Sequence, residues 1–295
     1  MRSFDEYKSL IEDNLLNYLP DVGEYAGVLK DAMAYSLGIG GKRIRPVLLL
    51  ASAEIAGADA ATALPYACAI EYIHTYSLIH DDLPAMDDDD MRRGKPSNHK
   101  VYGEAMAILA GDGLLNSAAE LITSQALPLK GDASSLYAHA RAAHEILKRA
   151  GASGMIAGQT ADITAEGSKA NADIVRFIEE HKTADLITAP VRAGLILANA
   201  DDKMLDDFTV YAKDIGIAFQ ILDDILDIEG DEALMGKTLG KDSDQGKANY
   251  AYVHGLDAAK SELHMLTLEA KSAISGYDNT EFFLELADKL ELRNN

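Results

Sequence analysis

The sequence predicts an all-α fold: helices packed around a central apolar cavity in one domain spanning residues 1–295. Three observations carry this. Apolar residues recur at helical spacing along most of the chain, not in the period-two alternation of strands. Glycines and prolines fall between those segments as short breaks. No hairpin dipeptide sits between two alternating stretches. With 295 residues, 48% of them hydrophobic, the chain can bury one large core or two smaller ones.

Phe4 to Tyr18 carries Phe4, Tyr7, Leu10/Ile11, Leu15 and Tyr18 on one helical stripe, and Pro20 ends it. Asp21 can cap the next helix, whose stripe is Val22, Tyr25/Ala26, Leu29, Met33 and Leu37. Gly38-Ile39-Gly40-Gly41 breaks that helix. Another begins near Pro46, which a first turn tolerates because the missing N–H has no partner there. Gly57 ends it, and Ala60 to about Asp82 follows as a long helix with Pro65 marking its first turn. A loop leads from Pro96 to Tyr102-Gly103, and helical segments occupy about 103–127, 134–150 and 153–165. The small residues Ala110-Gly111, Gly113 and Ala118-Ala119 suit close helix packing. A helix over 173–199 is kinked by Pro190, one over 201–227 has a wide apolar face, and a loop-rich stretch fills 229–250. Helices at 254–274 and 279–290 close the chain.

A net charge of −21 speaks against nucleic acid as a partner. It also requires local positive charge if the substrate is anionic. The single cysteine, Cys68, lies among Ala67, Ala69 and Ile70. It reads as a small core residue in a reducing compartment. No stretch approaches the roughly 20 apolar residues of a membrane span. The first residues have no apolar signal core. A soluble, cytoplasmic protein is the expectation.

The chemistry concentrates between His80 and Pro96. Six aspartates fall between residues 81 and 90, and Arg92, Arg93 and Lys95 follow at once. Carboxylates so crowded raise one another's cost of ionisation. Such a run lies in water as an acidic turn, or it holds cations. Magnesium suits the second case, since it takes oxygen ligands and bridges carboxylates to phosphate. Guanidinium beside it matches phosphate geometry.

Other stretches add to this. Lys42-Arg43-Ile44-Arg45-Pro46 sits at a helix start, where positive charge opposes the dipole but an anion would meet free N–H groups and cations together. A basic surface loop and an anion site stand equally there. His74 and Asp81, seven residues apart, lie only ~20° apart around a helix axis, with Glu71 and Leu78 on the same face. Gln220, Asp223 and Asp227 share a face of an otherwise apolar helix, flanked by Asp224. Gly236-Lys237, Gly240-Lys241 and Gly246-Lys247 can approach a phosphate, although none fits the P-loop spacing.

GGKRIRP (40–46), EYIHTYSLIHDDLPAMDDDDMRRGKPSNH (71–99), HKT (181–183), FQILDDILD (219–227) and GKTLGKDSDQGKANY (236–250) occur in this order. Together they resemble the trans-isoprenyl diphosphate synthases, and within them the bacterial farnesyl diphosphate synthases. One DDxxD would be weak; the ordered set is highly specific. The resemblance implies an isoprenoid-synthase-type helical bundle, acting as a homodimer, with about three magnesium ions per active site. It implies magnesium ligation by Asp81, Asp87 and Asp223, supported by Asp82, Asp224 and Asp227. Arg92, Lys182, Thr183, Gln220, Lys237 and Lys247 would contact the allylic diphosphate, dimethylallyl or geranyl. Lys42, Arg45, His74 and Arg93 would hold isopentenyl diphosphate. The chain departs from the family's K-x-T-Y-P at Lys247-Ala248-Asn249-Tyr250-Ala251.

In this family a bulky residue five places before the first motif resembles a floor for the growing product. Here it is Tyr76, with Ser77 next, and it implies a fifteen-carbon product. Tyr76 lies ~140° from Asp81 around the helix and Ser77 only ~40°, so the tyrosine closes the pocket from the flank or is simply core. Geranylgeranyl diphosphate synthesis is the alternative product. A non-catalytic subunit of a heteromeric synthase should have lost one acidic motif, and both are intact. A terpene cyclase has no need of a second diphosphate site such as GGKRIRP. A calcium buffer would carry a D-x-D-x-D-G loop, which the sequence lacks.

Overall fold

The computed structural model describes residues 1–167, 171–229 and 249–292. The chain separates into two compact units. One is Arg2–His144 with Ile196–Asn199; the other is Met1, Glu145–Leu195 and Ala200–Asn295. The described residues are overwhelmingly helical, as expected.

The N-terminal unit contains α1 (Phe4–Leu15), α2 (Gly27–Gly38), α3 (Ile44–Ile55), α4 (Ala60–Asp81), α5 (Asn98–Tyr102), α6 (Glu104–Ser124) and the first part of α7 (Ala133–Ala150). α1 starts with a capping box: Ser3 accepts from the Glu6 backbone, and Glu6 accepts from the Ser3 backbone. α4 packs against α1, α2, α3 and α6 and is buried almost all round, the pattern of a core helix. Its two fully buried tyrosines satisfy their hydroxyls on neighbouring helices. Tyr72 donates to the Leu15 carbonyl at 2.6 Å, and Tyr66 to the Ile122 carbonyl at 3.2 Å. A rod so anchored delivers Asp81 at its C-terminal end. Pro65 sits one turn deeper than the sequence suggested, inside α4, which starts at Asp59's cap.

Two expectations are corrected here. Residues 91–96 do form a hairpin, with Met91 opposite Pro96 and Arg92 opposite Lys95. Its turn residues Arg93 and Gly94 both take positive φ, 52° and 74°, which matches the twist of a two-residue loop. The strands are too short to show alternation. The stretch after Pro96 is the short helix α5, begun by the buried Ser97. In addition, α6 is long and apolar enough to cross a membrane by length and composition. Its face bearing Ala107, Ala110, Gly111, Leu114 and Ala118 is buried, and α6 packs on α4, so the small residues serve the close packing predicted for them.

The C-terminal unit contains the rest of α7, α8 (Met155–Ala165), α9 (Ala172–Ile178), all but the last two residues of α10 (Asp185–Leu197), α11 (Asp202–Glu229), α12 (Tyr250–His254), α13 (Leu256–Ala273) and α14 (Glu281–Glu291). Between α9 and α10 the backbone widens into a π-helical segment, Glu179–Ala184. The sequence suggested one helix over 173–199 kinked by Pro190; Pro190 does lie inside a helix, α10, and the π segment, which ends six residues before it, is an irregularity the sequence did not suggest. π segments concentrate at functional sites, and this one carries His181-Lys182-Thr183. It packs against α8 and α11, where glycines permit the approach. A Cβ on Gly158 would lie 2.1 Å from the Lys182 nitrogen, and one on Gly216 2.6 Å from the Ala184 Cα.

Candidate active site

In the N-terminal unit the acidic motif begins where α4 ends. The Leu83 N–H donates to the His80 carbonyl at 3.1 Å, Met86 to Leu83 at 2.9 Å, Asp87 to Asp81 at 2.8 Å and Asp88 to Leu83 at 3.1 Å. The third of these bonds folds Asp87 back beside Asp81, and both residues are half-buried. Two hard carboxylates on a backbone-locked turn, with room left for water, suit magnesium. Asp82 is buried. Arg92 donates to it from Nε at 2.9 and 3.2 Å and also from Nη2, which fixes the plane of the guanidinium. Burial raises the Asp82 pKa and Arg92 opposes that rise. Carboxylate oxygens of Asp88 and Asp90 and a ring nitrogen of His99 also lie within 4.8 Å of one another, although Lys100 Nζ already sits 2.7 Å from Asp90.

The basic residues gather around His74. Arg43 takes φ 55° at the start of α3 and turns inward. It donates to Glu71 Oε1 at 2.6 Å and to the Leu37 carbonyl at 2.6 Å, both buried. Arg43 is thus a strut, while Lys42 is exposed and Arg45 half-buried. Arg93 donates to the Gly40 carbonyl. A Cβ on Gly41 would meet its Nη1 at 2.5 Å, so the glycine pair is a seat for this arginine. Loss of water, then Arg45, Arg93, Arg92 and Arg43, hold the His74 pKa well below the usual imidazole value. His74 is therefore neutral at neutral pH, and the positive charge there belongs to the guanidiniums. A small open cleft beside them is lined by Thr75, Asp82, Arg92, Arg93, Ser97 and Asn98, among others.

In the C-terminal unit a chain of hydrogen bonds links three elements, the π segment, α11 and α12. Thr183 Oγ1 donates to Gln220 Oε1 at 2.8 Å, and Gln220 Nε2 donates to Asp224 Oδ1 at 3.0 Å. The Tyr250 N–H donates to Asp224 Oδ2 at 2.8 Å. Asp223 beside it is half-buried, while Asp224 and Asp227 are buried among Leu222, Ile225 and Leu226. Lys182 Nζ lies 2.5 Å from Asp162. Asn249, where the family motif has threonine, caps α12 by accepting from Ala251 at 2.9 Å and Tyr252 at 3.3 Å. Lys237, Lys247 and most of the 229–250 stretch lie outside the described residues.

Tyr76 is buried, and its ring meets that of His80 edge-on at 5.8 Å. Burial, then Asp81, pushes its phenol up to about 12. Ser77 only closes its own helical turn, donating to the His74 carbonyl at 2.9 Å.

Sequence reasoning missed Asp162, the Arg43–Glu71 pair and Glu179. Each is a charged residue inside an apolar helical run, the signal that singled out Asp223. Glu179 is 1% exposed, and neither of its oxygens has a hydrogen-bond partner among the described residues. Burial, then the nearby Asp224, pushes its pKa up to about 8, against Arg176 at 3.9 Å. The folded chain thus holds a proton that the unfolded chain releases near 4.5. This stabilisation is complete below the unfolded value and is lost as pH rises through the folded one. Thermal unfolding between about pH 5 and pH 9 should show the parent losing stability relative to Glu179→Gln as pH rises. A constant difference would contradict the assignment.

A polyprenyl synthetase family profile matches residues 26–276. The chain is 48% identical to a farnesyl diphosphate synthase of Geobacillus stearothermophilus over 259 residues, covering 88% of this chain and 86% of that one. It is 44% identical to a geranylgeranyl diphosphate synthase of Cyanophora paradoxa over 292 residues, covering 98% and 95%. A crystal structure of an FPP/GFPP synthase from Zymomonas mobilis superposes with a TM-score of 0.85 at 31% identity, covering 98% and 97%.

Proposed function

The chain belongs to the polyprenyl synthetase family, and from that premise we propose that it joins isopentenyl diphosphate to dimethylallyl or geranyl diphosphate and stops at farnesyl diphosphate. The observation that carries this is the presence of two different kinds of anion-handling site. One kind is the aspartate motif, present at Asp81–Asp87 and again at Asp223–Asp227; the other is the guanidinium set around a neutral His74. A single diphosphate needs only the first.

Asp81, Asp87 and Asp223 would hold magnesium, about three ions in all. Bound there, magnesium neutralises the charge that develops on the departing diphosphate. Asp82, Asp224 and Asp227 orient the neighbours of these ligands. Arg92, Lys182, Thr183 and Gln220 grip the allylic diphosphate, with Lys237 and Lys247 assigned to the same task. Their donors stabilise the leaving group as it takes the electron pair of the allylic C–O bond. Lys42, Arg45, His74 and Arg93 hold isopentenyl diphosphate so that its double bond faces the allylic cation. A new C–C bond forms in a water-excluding cavity, and the surplus proton passes to the released diphosphate. The Arg92–Asp82 and Lys182–Asp162 pairs support this reading, because they pre-orient cations before substrate arrives.

The active form is a cytoplasmic homodimer of a single-domain chain, with α6 a core helix. The readout is a magnesium-dependent assay with isopentenyl and geranyl diphosphates. Farnesyl diphosphate as the main product supports the reading; no elongation contradicts it. Geranylgeranyl diphosphate as the main product favours the second reading, which the Cyanophora relative's name supports. If Tyr76 is the floor, Tyr76→Ala should yield products longer than fifteen carbons by chromatography, and an unchanged product would defeat that role.

A further inference from the structure

We propose that product length is set by a three-residue stack, Gly111–His80–Tyr76, in which the missing side chain at position 111 fixes where the tyrosine ring stands. The proposal rests on the reading of Tyr76 as the floor and extends it to two residues for which neither the motifs nor the relatives suggest such a role.

The His80 imidazole lies directly on the backbone of α6 at Gly111. A Cβ there would fall 2.0 Å from Nε2, 2.4 Å from Cδ2 and 2.8 Å from Cε1, closer than any side chain permits. Nε2 is 3.1 Å from the Ile108 carbonyl. A carbonyl only accepts, so Nε2 carries a proton and the tautomer is fixed. The imidazole is therefore held in position and in rotation by one turn of α6. It also meets the Tyr76 ring edge-on, with centroids 5.8 Å apart and planes at 79°, a favoured aromatic arrangement. His80 and Tyr76 are four residues apart on α4, which places them on the same face. α6 thereby props the tyrosine through the histidine.

The tyrosine hydroxyl is buried with no hydrogen-bond partner among the described residues. Burying such a group unpaired is costly, and a phenylalanine would avoid that cost. A ring kept in place at that cost by a neighbouring helix is placed for something other than stability. A wall that moves by about one carbon–carbon bond changes discrimination between prenyl lengths about tenfold or more. The support behind the ring therefore matters as much as the ring.

The test is product distribution rather than rate, measured with geranyl and isopentenyl diphosphates for His80→Ala, His80→Gln and Gly111→Ala. His80→Gln keeps a donor for the Ile108 carbonyl but loses the ring. Gly111→Ala keeps the ring but forces it from its seat. Each should raise the ratio of twenty- to fifteen-carbon product about tenfold. Added to Tyr76→Ala, none should lengthen the product further, because the ring they support is gone. A purely structural role for His80 would lower the rate and leave the ratio unmoved. If Gly111→Ala does not fold, the two His80 variants decide. Unchanged product from Tyr76→Ala removes the floor and the stack with it. Longer product from Tyr76→Ala, with parental ratios in the His80 and Gly111 variants, removes the stack alone.

Discussion

Asp81→Asn is expected to lower turnover about a thousandfold or more while the chain remains helical by circular dichroism. Asp81 stands at the C-terminal end of a core helix, half-buried, with Asp87 folded back beside it by a 2.8 Å backbone bond. The amide keeps the shape but removes the charge that a hard cation needs. It also relieves repulsion within the aspartate run, so stability should be unchanged or slightly raised. Substrate binding should survive in part through the cationic residues, which places the loss in kcat. Near-parental turnover with normal magnesium dependence would mean that Asp81 is not a ligand.

Glu71→Ala is expected to cost about 3–5 kcal/mol of stability, a large share of the roughly 5–15 kcal/mol available to a folded chain. The change leaves the Arg43 guanidinium, 4% exposed, without its 2.6 Å partner. Removing one partner of a buried pair is far more damaging than replacing both. Arg43→Met with Glu71→Leu should therefore recover most of the loss. Arg43 also fixes the turn that presents Lys42 and Arg45, so the KM for isopentenyl diphosphate should rise in Glu71→Ala more than that for the allylic substrate. Urea unfolding and steady-state kinetics read both effects. A loss under about 1 kcal/mol would mean that the pair behaves as a surface contact.

The long helices were legible because their apolar residues repeat at 3.6 positions, and the aspartate motifs because charge inside apolar runs stands out. What escaped was set by single backbone torsions and by contacts between elements. The hairpin at Met91–Pro96 depends on positive φ at Arg93 and Gly94, which a two-residue strand cannot announce. The π segment at Glu179–Ala184 follows from the fit of α8 and α11 around it at Gly158 and Gly216. Each of those glycines, taken alone, reads as an ordinary small residue. Arg43 is the clearest case. It stands between Lys42 and Arg45 in one basic run, yet a left-handed residue turns it into the core. Spacing along the chain does not distinguish the strut from its neighbours.

The central claim is that the Asp81–Asp87 motif holds a substrate diphosphate through divalent cations. A crystal grown with manganese and a non-ionising allylic thiodiphosphate, examined by anomalous scattering at the manganese edge, tests it most directly. Metal peaks between a diphosphate and the carboxylates of Asp81 and Asp87 are the predicted result. No metal at these carboxylates, with the diphosphate bound away from them, would contradict it.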